Sequence, residues 1–461
     1  MTIRHDLYQP FFASRPRAFA TVLTLWTLGM VALVLAVLQS AAFKQASGGR
    51  ESLGRIRAYW AARAGVETQI ATLTMSTLSP DTTSGYAVTA ELLNTASADL
   101  GSAQFDIRHF DGIQTVAGPL DAHSRLNIAS MSAEDLMLLD GMDETVAQNI
   151  VNWCSGVDAA NPQGADESAY TGLRYPYKPR GNAPRSLREL ELVQNLDPAL
   201  LRGEDANFNN RLDPAEDDAD ASLPPDNANA VLDPGWSTFL TAVSESEADG
   251  LSASGQKRLD LRTASVEDIA SRLRVERNQA QAVSDHAVNN TTTVKLEDYL
   301  RSDLATLAAA QAPGGTGARF LAPQANNAVQ ELADEQLKAL LDECTVNESR
   351  RDGPRRGRTN LNTARRETLE KLVDLEPAML DAILLERDGR AGGFTSMTEL
   401  LAIDGIDRSM LAELMARLDV RSQVFVVTSR GKDRATGLEV EIIATIDRSS
   451  IPVVIKDLFV R

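Results

Sequence analysis

The sequence predicts an α+β protein with an N-terminal membrane helix, a small antiparallel sheet and a large helical region inserted into that sheet. Three observations indicate this: an uncharged apolar segment near the start, strand-type segments at both ends of the remaining chain, and helix-type patterns between them. The chain has 461 residues, of which 43% are hydrophobic and 24% charged, as is typical of folded domains. That length allows two or three compact units.

The first element is a membrane-spanning helix. No residue from Ala18 to Phe43 is charged, and a helix of that length extends about 39 Å, which covers an apolar slab of roughly 30 Å. A cleaved secretory signal has an apolar core of only about 7–15 residues, so the apolar segment of this chain is too long to be one. Arg17 precedes the segment and Lys44 follows it, and the arginines on the N-terminal side favour an N-terminus on the inside. We expect residues 19–70 to form one transmembrane and stem helix.

Short strands are expected on both sides of the helical middle. Before it, Gly85–Leu92 and Gln104–His109 alternate apolar and polar residues. After it, three segments are expected to be strands, with a turn at Arg430–Gly437: Val424–Thr428, Leu438–Ile446 and Val453–Val460. We therefore divide the part after the stem into a first sheet portion, a helical insert and a final sheet portion: residues 71–125, 126–420 and 421–461.

The helical middle contains an internal repeat. Its copies begin with a short extended piece that ends at a Ser or Thr able to cap a helix: Leu126–Leu136, Leu259–Ile269 and Asn360–Leu369. A second helical segment follows each copy at a similar interval: Glu144–Trp153, Asn278–His286 and Pro377–Arg387. A companion element also recurs, since Arg185–Leu190 matches Thr395–Leu400. The pattern predicts helix-hairpin-helix-like units.

Arg17 to Trp26 reads RAFATVLTLW, an arginine and a small residue followed by an apolar segment with an early tryptophan, and Tyr59–Glu67 is rich in alanine. These two stretches resemble the N-terminal segment and the stem of the K-type minor pseudopilins of type II secretion systems. The family's prepilin peptidase cuts after a glycine, and this chain has Ala18 there. The resemblance implies a leader of residues 1–18 and processing between Ala18 and Phe19. Leu23 stands where most pseudopilins, but not the K type, carry glutamate.

This resemblance carries expectations about fold and function. It implies a pilin-like sheet with a large insert of helix-hairpin-helix-like (SAM-like) repeats, a single pass through the inner membrane and a C-terminal bulk in the periplasm. It also implies a place at the pseudopilus tip, where the protein initiates or caps assembly for protein export across the outer membrane. The implied partners are the I- and J-type minor pseudopilins and the major pseudopilin, and the family is described as binding calcium in its insert.

The alternative is a membrane-tethered helix-hairpin-helix protein that binds DNA for uptake. Such units hold phosphate at a Gly-x-Gly hairpin through main-chain amides. Here the hairpins read Gly141-Met142-Asp143 and Gly405-Ile406-Asp407, and an aspartate replaces the second glycine each time. We expect these carboxylates to cap the following helix. The net charge of −18 also repels nucleic acid, so we expect no such partner, although the basic run Arg350–Arg358 would favour one.

The clearest site is a loop with EF-hand spacing. Calcium loops of this kind place oxygen ligands at positions 1, 3, 5, 7, 9 and 12. The segment from position 205 to position 216 reads DANFNNRLDPAE and supplies them all: Asp205, Asn207, Asn209, the Arg211 carbonyl, Asp213 and Glu216. Asn210 stands where the turn needs a positive φ and glycine is usual. The alternative is a solvated acidic loop.

A second acidic stretch follows and completes a candidate region of 205–233. It repeats the Leu-Asp-Pro of the first loop at Leu232–Pro234, but Pro225 and Trp236 fall at positions 1 and 12, so the loop is incomplete. A second ion sharing this region has seven candidate ligands: Asp217, Asp218, Asp220, Asp226, Asn227, Asn229 and Asp233.

No constellation in the sequence points to catalysis. Neither GxSxG nor a phosphate-cradling glycine loop is present, and four histidines are scattered singly. Cys154 and Cys344 are far apart and lack metal-ligand spacing, so we expect two buried thiols, with a disulfide as the alternative. The sequence therefore predicts a protein that is not an enzyme.

Overall fold

The computed structural model describes residues 17–157, 163–219, 221, 223, 226–244, 251–289, 294–310, 329–346, 357–372 and 375–461. Within them the α-helices are α1 Arg17–Leu78, α2 Ala87–Asn94, α3 Ala133–Leu136, α4 Glu144–Ser155, α5 Glu167–Thr171, α6 Pro198–Arg202, α7 Val266–Leu273, α8 Arg277–Asn289, α9 Asp298–Arg301, α10 Leu304–Ala310, α11 Asp334–Glu343, α12 Arg366–Leu369, α13 Pro377–Gly389 and α14 Arg408–Arg417. The strands are β1 Ser97–Asp99, β2 Ala103–Phe110, β3 Thr115–Ala117, β4 Leu120–Asp121, β5 Leu126–Asn127, β6 Leu240–Thr241, β7 Leu259–Asp260, β8 Cys344–Thr345, β9 Thr359–Asn360, β10 Leu418–Asp419, β11 Val424–Asp433, β12 Glu439–Asp447 and β13 Val454–Val460.

The main sheet joins the two ends of the folded part. Its strand order is β1-β2-β11-β12-β13, all antiparallel, with β3 beside β2 and β4 beside β11. Because β2 and β11 are neighbours, the C-terminal strands complete a sheet that begins before the helical region. The predicted α+β class, with helices inserted into an antiparallel sheet, is confirmed.

Helix α1 is continuous and combines an exposed apolar half with a half that packs on the sheet. Its 18-residue apolar window has a mean hydropathy of 2.3 and is fully exposed, so this helix is long and apolar enough to cross a membrane. Its second half packs across β11, β2 and β12 and contributes Ala61, Ala62, Val66 and Leu73 to the sheet's core. The helix ends at Leu78, beyond the expected boundary at residue 70.

One predicted strand is wrong. Gly85–Leu92 is not extended, because Ala87–Asn94 forms helix α2. The apparent alternation is equally compatible with a helix that places Val88 and Leu92, four residues apart, on one face, and both join the core between the stem and the sheet. The side chain of Gln69 fixes the end of this helix by donating from Nε2 to the main-chain oxygen of Thr95 at 3.0 Å.

The C-terminal strands and Gln104–His109 are confirmed, with shifts at their ends. The predicted turn from Arg430 is too early, since β11 continues to Asp433 and the reversal occupies the next five residues. The ladder between β2 and β11 pairs Asp106 with Arg430, so β11 is still paired with β2 at that residue. The length of β11 is set by its pairing with β2, which is far away in sequence. Local turn propensity carries no information about that pairing.

The three predicted repeats recur as three similarly closed units. Each begins with a two-residue strand that pairs in parallel with a later one: β5 with β6, β7 with β8, and β9 with β10. The second residue of each first strand, Asn127, Asp260 or Asn360, accepts the main-chain N–H two positions later. The apolar side chains of the three units merge into one core, to which Trp153, Leu300 and Leu411 belong.

Candidate calcium-binding loops

The first candidate loop, residues 205–216, follows α6 and lies against the main sheet. The main-chain oxygen of Asn210 accepts from Phe110 N at 2.7 Å, and its side-chain Oδ1 accepts from the Arg125 guanidinium at 2.7 Å. Asn209 donates from Nδ2 to Glu441 on β12 at 3.1 Å. The loop therefore connects the inserted helical region to the sheet.

Two buried carboxylates close the loop from its ends. Asp205 accepts the main-chain N–H of Asn209 at 3.1 Å on Oδ1 and that of Asn210 at 3.0 Å on Oδ2. Glu216 accepts from Ala206 N at 3.1 Å and from Asp213 N at 3.0 Å. The first and last predicted ligands thus face the interior of one turn.

Asp213 is the third carboxylate, and it already has donors. Its Oδ2 accepts from Nδ2 of Asn207 at 2.8 Å and of Asn209 at 2.9 Å, and its Oδ1 accepts from Arg430 at 2.7 Å. The side chain of Arg211 points away, to Asp106 at 3.2 Å, which leaves only its carbonyl for a ligand role. The structure therefore brings all six predicted residues into one loop.

The donors have the chemistry that calcium takes, which is carboxylate, amide and carbonyl oxygen. Burial raises the pKa of Asp205 to about 6 and that of Glu216 to about 8, so their negative charges are poorly compensated. Among the described residues no three Asp, Glu, His or Cys side chains are gathered as a metal centre. The carboxylates close the loop by accepting hydrogen bonds from main-chain N–H groups. The residue types present are those that bind calcium.

The backbone has the form that the sequence predicts at position 6. Asn210 has φ of 55°, the left-handed region in which asparagine replaces glycine at small cost. Phe208, two residues earlier, has φ of 54°. Two alternate residues in this region turn successive N–H groups inward, which is how the carboxylate of Asp205 receives two of them.

The second stretch copies this conformation twenty residues later. Ala228 and Ala230 have φ of 49° and 60°, at the positions of Phe208 and Asn210. The side-chain oxygens of Asn227 and Asn229 each accept the main-chain N–H of the residue two positions later in the chain. Those of Asn207 and Asn209 in the first loop do the same. The repeated backbone explains the repeated Leu-Asp-Pro sequence.

The missing ends of the second loop are supplied by Asp217 and Glu204, which lie earlier in the chain. Asp217 accepts the N–H of Ala230 at 2.9 Å, as Asp205 accepts that of Asn210. Glu204 accepts from Asp233 N at 3.0 Å, as Glu216 accepts from Asp213 N. The same glutamate also accepts from Asn227 N at 3.2 Å. The second loop is therefore a discontinuous copy of the first.

The other predicted second-site residues have different places. Asp226 accepts the N–H groups of Asp218, Ala219 and Ala228 and closes the connection between the loops. Asp218 contributes its main-chain N–H to this hydrogen-bond network. Asp220 lies outside the described residues. Sequence reasoning missed Glu204 and Glu441. The position of Glu204 directly before the first loop offered a weak signal, whereas Glu441 is brought near only by the sheet.

The two hairpin aspartates cap helices, as predicted. Asp143 accepts from Val146 N at 3.0 Å at the start of α4, and Asp407 accepts from Met410 N at 2.8 Å at the start of α14. The N–H groups that would meet a phosphate in a DNA-binding hairpin are therefore engaged by a carboxylate. Of the basic run Arg350–Arg358, only its last two residues lie within the described ranges.

Two further sequence expectations concern the cysteines and the processing site. Cys154 and Cys344 are both buried and neither forms a disulfide, which confirms the buried thiols and makes the disulfide alternative wrong. Helix α1 already includes Ala18 and Phe19, and Phe19 is exposed. Residues 1–16 of the expected leader lie outside the described residues, so processing stays a prediction.

Comparison with known proteins agrees with the resemblance. Residues 120–203 match the family described as type II secretion system (T2SS), protein K. No curated protein matches the chain. A similar solved structure is the GspK-GspI-GspJ complex of the enterotoxigenic Escherichia coli type 2 secretion system, with 12% identity over 90% of this chain and 99% of that chain and a TM-score of 0.43. The comparison therefore shows a similarity of residues 120–203 to type II secretion system protein K.

Proposed function

We propose that this protein is a minor pseudopilin at the tip of a type II secretion pseudopilus. The observation that carries the proposal is the protein K match over residues 120–203, at the junction of the sheet and the inserted helices. A secretion component of this kind acts by assembly, so we infer that the protein is not an enzyme. It would initiate or cap the pseudopilus during protein export across the outer membrane.

The architecture supports assembly through the N-terminal helix. One continuous helix combines a fully exposed apolar segment with a stem that packs on the sheet, so the folded part is rigidly coupled to its anchor. With this helix in the inner membrane, the rest of the chain would lie in the periplasm. We propose packing of α1 beside the helices of the I- and J-type minor pseudopilins and the major pseudopilin.

The inserted region supports a position at the end of the filament. It occupies the chain between β4 and β11, two paired strands of the sheet, so the helix-hairpin-helix-like units project from one side of a pilin-like body. We infer that this bulk would block a further subunit from stacking above. The hairpin caps at Asp143 and Asp407 oppose the DNA-uptake alternative, which we do not propose.

We propose calcium as a structural ion of the two loops. The first site would use Asp205, Asn207, Asn209, the Arg211 carbonyl, Asp213 and Glu216. The second would use Asn227, Asn229 and Asp233, completed by Asp217 and Glu204. A dication would offset the mutual repulsion of buried carboxylates and fix the contact between the insert and the sheet.

The proposed function is tested in cells that lack the protein and contain the other secretion components. The full chain, expressed from a plasmid, should restore export of the secreted proteins and co-purify with I- and J-type minor pseudopilins after mild detergent extraction. A matched variant with two added charges in the anchor, Leu33→Lys and Val34→Lys, should do neither, because charges in the apolar span oppose insertion. Co-purification with nucleic acid instead of pilin-like partners would contradict the proposal.

A further inference from the structure

A small polar cavity lies where three parts of the fold meet, about 90 Å³ in volume. The stem end and helix α2 line one side, the segment around Leu251 and Ser252 another, and the residues before and within the sheet the third. Two arginines line it, Arg421 before β11 and Arg448 after β12, and so does Asp81, whose Oδ1 accepts from the main chain and the hydroxyl of Thr83. This volume is enough to hold ordered water or one small ion.

Arg448 has donors without partners. Its side-chain Nε and Nη1 are buried and have no hydrogen-bond partner among the described residues, whereas its main-chain N–H donates to Gln423 O at 2.8 Å. Burial, with the nearby charge of Arg421, lowers the pKa of Arg448 to about 10. A guanidinium keeps its proton at that value, so the charge remains and its desolvation is not offset.

Nearby charges do not neutralise this guanidinium by direct contact. Asp121 is near enough to favour the charge, but its oxygens accept from Thr363, Ser422 and the N–H of His123. The charge of Glu91, on α2, also raises the pKa of Arg448 from a distance. Arg421 is engaged by Asp342 at 3.3 Å and by the carbonyl of Thr395 at 3.0 Å, which holds a second cation at the cavity wall.

A buried charge with free donors is favourable only when a counter-charge joins it. A carboxylate or phosphate-type anion supplies oxygen acceptors for arginine N–H groups at short distance. We propose that this cavity binds a small oxyanion, held by the free Nε and Nη1 of Arg448 and by the charge of Arg421. The bound anion would join the stem, the insert and the sheet at one point.

Geometry restricts the source of the anion. From Phe43, at the end of the apolar segment, to Thr77 at the cavity, the helix rises about 50 Å. A lipid headgroup in the same membrane is therefore out of reach. The volume admits one small ion, so we expect a dissolved oxyanion, with a single acidic side chain of a partner protein as the other source of the same chemistry.

The test compares the full chain in detergent in chloride and in phosphate at equal ionic strength. Phosphate should raise the melting temperature of the wild type and should leave Arg448→Met unaffected, because methionine fills the space without charge. In chloride, Arg448→Met should be at least as stable as the wild type, since an uncompensated charge is removed. Arg434→Met, at an exposed arginine on the hairpin after β11, should respond to phosphate as the wild type does.

A second variant keeps the proposal testable if Arg448→Met does not fold. Thr89 lines the cavity from the exposed face of α2, and Thr89→Glu brings an attached carboxylate to the site. It should weaken phosphate binding at least tenfold in calorimetry. Acetate acting like phosphate on the isolated chain supports a dissolved anion. An equal phosphate response in the wild type and Thr89→Glu, or no response of the wild type to either anion, overturns the proposal.

Discussion

Gly431 on β11 lies so close to the stem helix that a Cβ atom there would be 2.0 Å from the main-chain oxygen of Ala58. The same atom would be 2.3 Å from Ala62 N, so no flexible side chain is available to move aside. On the helix, Gly65 is equally close to β11, because a Cβ atom at Gly65 would be 2.3 Å from Oγ of Ser429. The stem and sheet are thus in direct backbone contact.

We expect Gly431→Ala to destabilise the protein by about 1–3 kcal/mol, because the strand must move away from the helix. Thermal unfolding of the full chain in detergent measures this loss. Gly49→Ala is the matched control, since Gly49 lies within α1 with nothing near its Cβ position and alanine favours helices. Equal stability of the two variants would contradict the close packing.

The first and last parts of the insert are joined by one buried ion pair. Arg417, at the end of α14, donates from Nη1 to both oxygens of Asp135 at 2.7 Å, and Asp135 is fully buried. Arg417→Met removes the guanidinium from a buried carboxylate that also accepts from the main chain and the hydroxyl of Ser132, and should cost about 3–5 kcal/mol in the free energy of unfolding. Chemical denaturation of the full chain measures it.

Arg408→Met is the control on the same helix. Arg408 pairs with Asp334, whose side chain is 83% exposed, so its removal should cost much less. The double variant Asp135→Asn, Arg417→Met should recover part of the loss, because the buried charge is gone. A double variant as unstable as the sum of both single variants would argue against a direct pair.

His286 should make stability depend on pH. Both ring nitrogens are buried without a hydrogen-bond partner among the described residues, and the ring lies edge-on to Tyr299 at 5.0 Å. Burial lowers the pKa of His286, and Asp298 only partly opposes this. The folded state therefore binds its proton less readily than the unfolded state, and stability is lost as pH falls through about 6.5.

We expect His286→Phe, which keeps an aromatic ring there, to lose less stability than the wild type between pH 7 and pH 5. Melting temperatures across that range measure the difference. His109, whose pKa burial also lowers, is present in both proteins and cancels in the comparison. Parallel pH profiles for the two proteins would show that His286 does not carry this dependence.

The sequence indicated what depends on local pattern and missed what depends on the fold. The strands near Val424 and Val454 are recognisable because both are short segments rich in β-branched and aromatic residues. The segment from Gly85 has an alternating pattern, yet the apolar surface of the stem selects a helix there. Local sequence does not contain that information.

The candidate site shows the same division. Asp205 to Glu216 are predictable because one continuous loop fixes their spacing. Glu204 takes its role from the second loop folding back upon it, with the main-chain oxygen of Asp233 accepting from Glu204 N at 2.7 Å. A ligand set assembled from two turns has no linear spacing to recognise, and Arg448 at its cavity is likewise placed only by the fold.

The last prediction concerns calcium in the two loops. Removal of calcium with a chelator should lower the melting temperature of the full chain, and calcium should restore it more than magnesium does, since the loops offer many flexible oxygen donors. An ion bound only to the folded state adds about 2.7 kcal/mol at a hundredfold excess over Kd. Glu216→Gln and Glu204→Gln should each remove part of this response.

Glu413→Gln, at an exposed position on α14, should keep the full response. The two loop variants separate the sites: if Glu204 completes a second site, the double variant loses more of the calcium response than either single variant. If Glu204 only receives N–H groups, Glu204→Gln lowers the melting temperature equally with and without calcium. A wild-type melting curve that is unchanged by chelator, in protein shown beforehand to contain no metal, favours the solvated loop, because the hydrogen bonds of Asp205 and Glu216 would then suffice to close it.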